Sequence, residues 1–362
     1  AHRLVADRRE IAPLLDGLSA GQDTVVAFVG AGDIERDAEA YAKLLRRRGA
    51  DVLSRDLPDL VADRLSAGCV LRPNEPLARR TTLGIGGAAR WYAEPATVDD
   101  VVALLRAVAE LDLRYFVVGR GSNLLVPDDG YDGLVLHLAP EAWGKVEPLG
   151  EGRLRVGGGA RLKELCGVAA REGLAGFEFL EGIPGTVGGS LRMNAGAMGG
   201  WIFDVVESIE WLTPQGRVRA ARRDCFDALY RDCPQLHGGV VLSAVLRAAG
   251  RDEPAAIRAR MDEMAVRRRA SQPREASAGC VFRNPEGDKA GRLIDASGLK
   301  GRAVGPVAVS PVHANFLVNG GDATAADFLA LMRDVRAGVR AAAGVELQPE
   351  IVVLGREWRE LL

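Results

Sequence analysis

The chain has no run of about 18 consecutive apolar residues, the length a membrane-crossing helix needs, so no such span is expected. Its first stretch, AHRLVADRREIAPLL, lacks the order of charge, apolar core and small-residue cleavage site that marks a signal peptide, which makes the cytoplasm the expected compartment. Cysteine is scarce: Cys69, Cys166, Cys225, Cys233 and Cys280 are odd in number and form no CxxC pair, which speaks against a disulfide framework or a structural zinc site. The four histidines include no HExxH pair, and His137, inside an apolar run, reads as a satisfied core histidine rather than a ligand. A dominant charge is missing too. At a net charge of −2 there is no global basic surface for nucleic acid or acidic membranes, and small molecules are the expected partners.

What is present is a globular composition, 48% hydrophobic and 27% charged over 362 residues, enough for two or three packed units. Residues 1–70 read as an appendage holding one βα unit: a buried strand pattern over Thr24 to Gly30, then Ala31-Gly32-Asp33 and a helix ending near Gly49. A lone unit without GxGxxG cannot build a doubly wound nucleotide-binding sheet. After the turn residues Arg72 to Pro76 a new unit begins, placing the boundary near residue 71. Thr97, followed by Val98-Asp99-Asp100, predicts a capped helix whose Val101, Leu104, Leu105 and Val108 share one face. Strands are expected over 114–118, 134–138 and 153–156, with helices over 162–172, 254–267 and 324–343. Met261 and Met264 fall at helical spacing and read as core. No single parallel βα period runs through these elements, so the expected class is α+β rather than a Rossmann sheet.

Two glycine-rich turns carry the functional signal. The first is Gly119-Arg120-Gly121-Ser122-Asn123. The second lies in Phe177 to Gly200, where Gly182, Gly185, Gly188 and Gly189 are expected to take φ > 0 outside any regular helix or strand, with Pro184 stiffening the turn. Consecutive N–H groups left free in such loops form concave nests suited to a diphosphate. The alternative is an ordinary glycine-rich surface loop.

The ordered words GRGSNLLV (119–126), GIPGTVGGSLRMNAGAMGG (182–200), YRD (230–232), SAGCVFRNP (277–285), AGRLIDASGLKG (290–301), VSPVHANFLVN (309–319) and LQPEIVVLG (347–355) resemble the UDP-N-acetylenolpyruvoylglucosamine reductases from about residue 72 to the end. The resemblance implies a two-part FAD-binding domain of the vanillyl-alcohol-oxidase type over 71–139 and 140–250. A substrate-binding domain would follow over 251–362, its last strand returning to the flavin. It also implies FAD as cofactor, NADPH as reductant and a UDP-sugar enolpyruvyl ether as substrate, in peptidoglycan precursor synthesis. Residues 24–48 separately resemble the tail of UDP-N-acetylmuramate–alanine ligases without that enzyme's ATP loop, as a piece of a fusion would. Between Val241 and Gln272 there is no tyrosine, which resembles the family branch without a tyrosine lid.

Carried over residue by residue, the resemblance places FAD against Gly119, Arg120, Gly121, Ser122, Asn123, Leu124, Ile183, Pro184, Gly185, Thr186, Val187, Gly188, Gly189, Ser190 and Asn194. Backbone N–H groups and the hydroxyls of Ser122, Thr186 and Ser190 would meet the diphosphate. Arg231 matches the catalytic arginine, whose planar fork suits a carboxylate, and Glu350 the catalytic glutamate. Gln348 fills a slot where the family often has Glu. Cys280 stands where the family has a proton-donating serine; an unperturbed thiol, near pKa ~8.5, would give up its proton more readily than a hydroxyl, whereas depression beside Arg231 would leave thiolate. Asn284 matches a substrate-contacting asparagine. The run Arg267-Arg268-Arg269 is open to two readings, with Arg268 and Arg269 on the UDP diphosphate or all three at a solvated helix terminus. Outside this family the same residues admit a flavin oxidase of related fold, or a flavin-binding regulator without turnover.

Overall fold

The computed structural model describes residues 56–362, so the expectations for residues 24–48 lie outside the described residues. The chain clusters into two units, Ala1–Asp59 and Leu60–Leu362, and the second is built in three layers. Its first layer comprises β1 (Val70–Pro76), β2 (Ala88–Glu94), α1 (Val98–Glu110), β3 (Arg114–Val118), the short β4 (Leu124–Leu125) and β5 (Tyr131–His137). The sheet runs β1-β2-β5-β3, antiparallel at β1 and parallel elsewhere. Proline at 73 and 76 is tolerated because β1 is an edge strand. Thr97 caps α1 in a reciprocal box with Asp100, as its sequence predicts. Buried Asp100 also accepts from Ser66 N–H and hydroxyl, at 2.6 and 2.8 Å, which fastens the chain entering β1 to this helix.

The second layer holds β6 (Val146–Gly150), β7 (Arg153–Gly157), α2 (Leu162–Arg171), α3 (Val187–Arg192), β8 (Val206–Leu212), β9 (Val218–Arg222) and β10 (Val240–Arg247). Its five strands form an antiparallel sheet in the order β9-β8-β10-β7-β6. Val187, Leu191, Leu165 and Phe177 pack on its inner face. The third layer begins with α4 (Pro254–Ser271) and continues through β11 (Ala276–Cys280), α5 (Ala290–Ala296), β12 (Ala303–Val304), β13 (Val307–Val309), β14 (Phe316–Asn319) and α6 (Ala325–Ala343). Phe328, Leu331, Val335 and Val339 of α6 are buried against that antiparallel sheet, as their spacing predicts. On α4 the burial is thinner than the methionines suggest. Met261 packs against the second layer only in part, and Ile257 is the helix's buried residue.

The final strand, β15 (Val352–Val353), leaves the third layer and pairs in parallel with β4 of the first. Alternation along this two-stranded ribbon divides its side chains between cores: Leu125, Ile351 and Val353 enter the third-layer core, Leu124 and Leu354 the first-layer core. Asp128 reinforces the join by accepting from Ala325 N–H at 2.7 Å and Ala326 N–H at 3.0 Å, at the start of α6. Among the described residues no helix is long and apolar enough to cross a membrane.

Candidate active site

The two glycine turns meet. A Cβ placed on Gly119 would lie 2.5 Å from Thr186 Oγ1, so glycine at 119 is what lets the loops touch. Beside this contact is a cleft of ≈ 280 Å³ whose lining includes Arg79, Arg80, Thr82, Arg120, Arg161 and Thr186. Arg80 is neutralised by Glu75 at 2.6 Å and Glu94 at 3.2 Å, whereas Arg79, Arg120 and Arg161 have no ion-pair partner among the described residues. The backbone N–H groups of Arg120 to Asn123, and those of Gly185 and Thr186, likewise find no acceptor among the described residues. The free amides of Arg120 and Thr186 and the unpaired guanidinium groups of Arg79, Arg120 and Arg161 around one cleft fit the diphosphate of a dinucleotide such as FAD.

The second loop differs from its sequence expectation in one respect. Gly182 has φ 76°, but Gly185, Gly188 and Gly189 do not take positive φ, and the last two lie inside helix α3. Thr186 is its N-cap, accepting from Gly189 N–H at 3.3 Å, while Val187 and Gly188 donate to Ala160 and Gly158 carbonyls at 2.8 Å. The amides of 187–190 are thus spent on folding, not left free. Glycine at 188 suits close packing instead, since a Cβ there would make a tight 3.1 Å contact with the Gly158 carbonyl oxygen. Ile183 packs on the second-layer core, Val187 is fully buried in it and Pro184 is exposed. Ser190 is buried, and so is Asn194, whose Nδ2 donates to Leu229 carbonyl at 2.9 Å while its Oδ1 has no partner.

Arg231, Cys280 and Glu350 converge from three distant parts of the chain. The C-terminal segment crosses the end of β11, where Glu350 N–H donates to Val281 carbonyl at 2.7 Å and Arg283 N–H to Gln348 carbonyl at 2.8 Å. It then crosses the first loop, Val352 N–H donating to Asn123 carbonyl at 2.9 Å. Glu350 sits between these two crossings, 8% exposed, with Oε1 2.7 Å from Arg231 Nε and Oε2 accepting from the Tyr230 hydroxyl at 2.9 Å. Arg231 lies at φ 56°, a left-handed conformation that costs a non-glycine residue about 1–2 kcal/mol. Residue 231 is the third position of a tight turn closed by Asp232 N–H on Leu229 carbonyl at 3.3 Å, with Leu229 N–H returning to Asp232 carbonyl at 2.9 Å. Its guanidinium carbon is 5.4 Å from the Trp201 ring centroid.

Cys280 ends β11 beside Gly279, whose φ of 79° brings it against the Ser122 carbonyl of the first loop, 3.8 Å from where a Cβ would stand. Burial pushes its thiol up to about 11, with Glu350 adding to the rise and Arg231 and Arg268 opposing it. This shift runs opposite to the depression beside Arg231 that would leave thiolate. Arg268 on α4 reaches the same cluster, and its guanidinium is shifted down by burial and by Arg231. Arg269 is exposed, and Arg267 is exposed and pairs with Glu263 at 2.6 Å. Asn284 lies next to the cluster, its backbone N–H facing the Tyr230 hydroxyl and its Oδ1 accepting from Ala290 N–H at 3.0 Å.

Sequence reasoning left out Tyr230, although it stands inside the YRD word next to the arginine it helps to hold. It also passed over Asn315, which clasps Phe282 through both backbone groups, at 3.0 and 2.8 Å, and hydrogen-bonds Cys280. A larger surface depression of ≈ 490 Å³ is lined by Lys300, Arg302 and Asp334, with its cations already paired, and it holds none of this chemistry.

Comparison with known proteins agrees with the geometry. The family model for the C-terminal domain of UDP-N-acetylenolpyruvoylglucosamine reductase matches residues 272–354, and an FAD binding domain matches residues 89–222. The UDP-N-acetylenolpyruvoylglucosamine reductase of Pelobacter propionicus is 42% identical over 288 residues, covering 80% of this chain and 97% of the relative. That of Desulfosudis oleivorans is 44% identical over 295 residues, 78% of this chain and 94% of the relative. The crystal structure of the Thermus caldophilus enzyme matches with a TM-score of 0.68 at 36% identity, covering 79% of this chain and 98% of that one. Relatives this similar, spanned almost end to end, show that the chain belongs to the UDP-N-acetylenolpyruvoylglucosamine reductase family.

Proposed function

We propose that Arg231, Cys280 and Glu350 are the catalytic residues with which this chain reduces UDP-N-acetylenolpyruvoylglucosamine to UDP-N-acetylmuramate. The enzyme is an FAD-dependent NADPH oxidoreductase of peptidoglycan precursor synthesis. The observation that carries the assignment of roles is the convergence of a guanidinium, a carboxylate and a thiol, with Arg231 Nε 2.7 Å from Glu350 Oε1. FAD, when bound and reduced by NADPH, supplies a hydride to the terminal carbon of the enol ether. Loops 119–124 and 183–190, with Asn194, hold it, and their free amides at 120–123, 185 and 186 face its diphosphate.

Everything else falls to the chain. Hydride addition drives negative charge from the double bond onto the α-carbon and its carboxylate. Arg231, with Nε fixed on Glu350, presents its two terminal nitrogens to that carboxylate and stabilises the enolate. Cys280 then passes its proton to the α-carbon, and Arg231 and Arg268 stabilise the thiolate left behind until solvent reprotonates it. Glu350 keeps the arginine oriented and is itself held by Tyr230. Asn284, Arg268 and Arg269 contact the UDP-sugar. Residues 71–139 and 140–250 form the flavin-binding parts, 251–362 the substrate domain and 1–70 an N-terminal extension, with the cytoplasm as the setting.

Anaerobic mixing of the holoenzyme with NADPH should bleach the flavin absorbance, and adding the enolpyruvyl sugar nucleotide should restore it. Bleaching that oxygen reverses and the sugar nucleotide does not would place the chain among flavin oxidases instead.

A further inference from the structure

The turn that presents Arg231 is bolted to the helix that begins at the flavin loop. Asp232, the residue after the catalytic arginine, takes Arg192 Nη1 on Oδ1 at 2.6 Å and His237 Nε2 on the same oxygen at 2.7 Å. Arg192 is the last residue of α3, whose N-cap Thr186 touches Gly119. Two residues later Asn194 holds the other end of the turn, its Nδ2 2.9 Å from Leu229 carbonyl. The left-handed arginine is thus gripped on both sides by one short strut. A strained conformation persists only where its surroundings over-determine it, and these contacts are what does so here.

We propose that Asp232 is a positioning residue for the reduction, acting through Arg231: its bridge to Arg192 and His237 holds the guanidinium at the reacting carboxylate and ties it to the flavin loop. This rests on the role given to Arg231 above. Asp232 Oδ1 is committed to Arg192 and His237. Losing its bridges lets the turn relax out of the left-handed region, which displaces the guanidinium from the developing charge while the core beneath stays packed.

The test uses holoenzyme Asp232→Asn and Arg192→Gln, alone and combined with Arg231→Ala, in single-turnover mixing. With NADPH, bleaching should keep its wild-type rate. Recolouring by the enolpyruvyl substrate should slow by about tenfold or more, because misplacement by about 1 Å is enough for such a loss. In the Arg231→Ala background either substitution should change recolouring by less than about twofold, the non-additivity expected of residues acting as one unit. Calorimetric affinity for UDP-N-acetylmuramate should fall with the single substitutions and be insensitive to them once Arg231 is gone. Equal slowing of both half-reactions, or an undiminished effect in the Arg231→Ala background, overturns the proposal. Arg231→Ala recolouring at the wild-type rate overturns instead the role of Arg231 itself.

Discussion

Arg231 and Glu350 are 119 positions apart in the chain, yet Nε and Oε1 lie 2.7 Å from each other in a setting where the glutamate is 8% exposed. Such a pair contributes little to net stability but is costly to break, since removing one partner strands the other charge. Glu350→Gln should therefore lower stability by about 3 kcal/mol and slow recolouring at least a hundredfold, the scale of losing one preorganised charge-stabilising group. Thermal melting and single-turnover mixing check both. Arg231→Lys should keep the charge but lose the planar fork, and recolour no faster than about a tenth of the wild-type rate.

The thiol makes a signed prediction about pH. Its pKa is raised from an ordinary 9.0 to about 11, first by burial and then by Glu350. A proton donor works below its pKa and fails as pH rises through it, so the thiol keeps its proton across the neutral range and its alkaline limb falls near pH 11 rather than 9. In Cys280→Ser that limb should vanish. Identical alkaline limbs in the two proteins would remove the thiol from the mechanism. Iodoacetamide, which needs thiolate, should also label Cys280 more slowly at pH 8 than it labels exposed Cys225.

Gly119→Ala tests the cofactor loops. The added methyl would stand 2.5 Å from Thr186 Oγ1 and must push the two turns apart. Flavin affinity should drop by about tenfold, the equivalent of 1.4 kcal/mol of strain, measured by flavin release on dilution. Thr186→Ala in the same chain relieves the overlap but removes the cap of α3, so it should restore flavin binding in part only.

Asp128→Ala reads the join between layers. It strips two acceptors from the start of α6 while leaving Thr324 in its own capping box, and should cost about 1 kcal/mol in a denaturant titration with catalysis unchanged.

Much of this was legible in the residues. The caps at Thr97 and Thr324, the apolar faces of α1 and α6 and the strand over 114–118 follow from local periodicity and side-chain capping, which need no tertiary information. The catalytic cluster was legible only as words in a family order. Nothing local says that the residue after Pro349 will meet one from a turn 119 positions earlier, because that meeting depends on a two-residue strand crossing between layers. The second glycine loop misled for a definite reason. Glycine is read as a breaker, but Gly188 and Gly189 lie inside a helix that Thr186 caps and that docks on the Ala160 and Gly158 carbonyls, and this tertiary context overrides propensity. Trp201 and Asn315 gave no local signal, since their roles exist only in the assembled site.

The most direct test of the central claim is single-turnover mixing of Cys280→Ala holoenzyme. If the buried thiol supplies the proton and Arg231 with Glu350 stabilises the charge that awaits it, this variant bleaches with NADPH at the wild-type rate and then recolours with the enolpyruvyl substrate at least about a hundredfold more slowly. Recolouring at the wild-type rate would contradict the account.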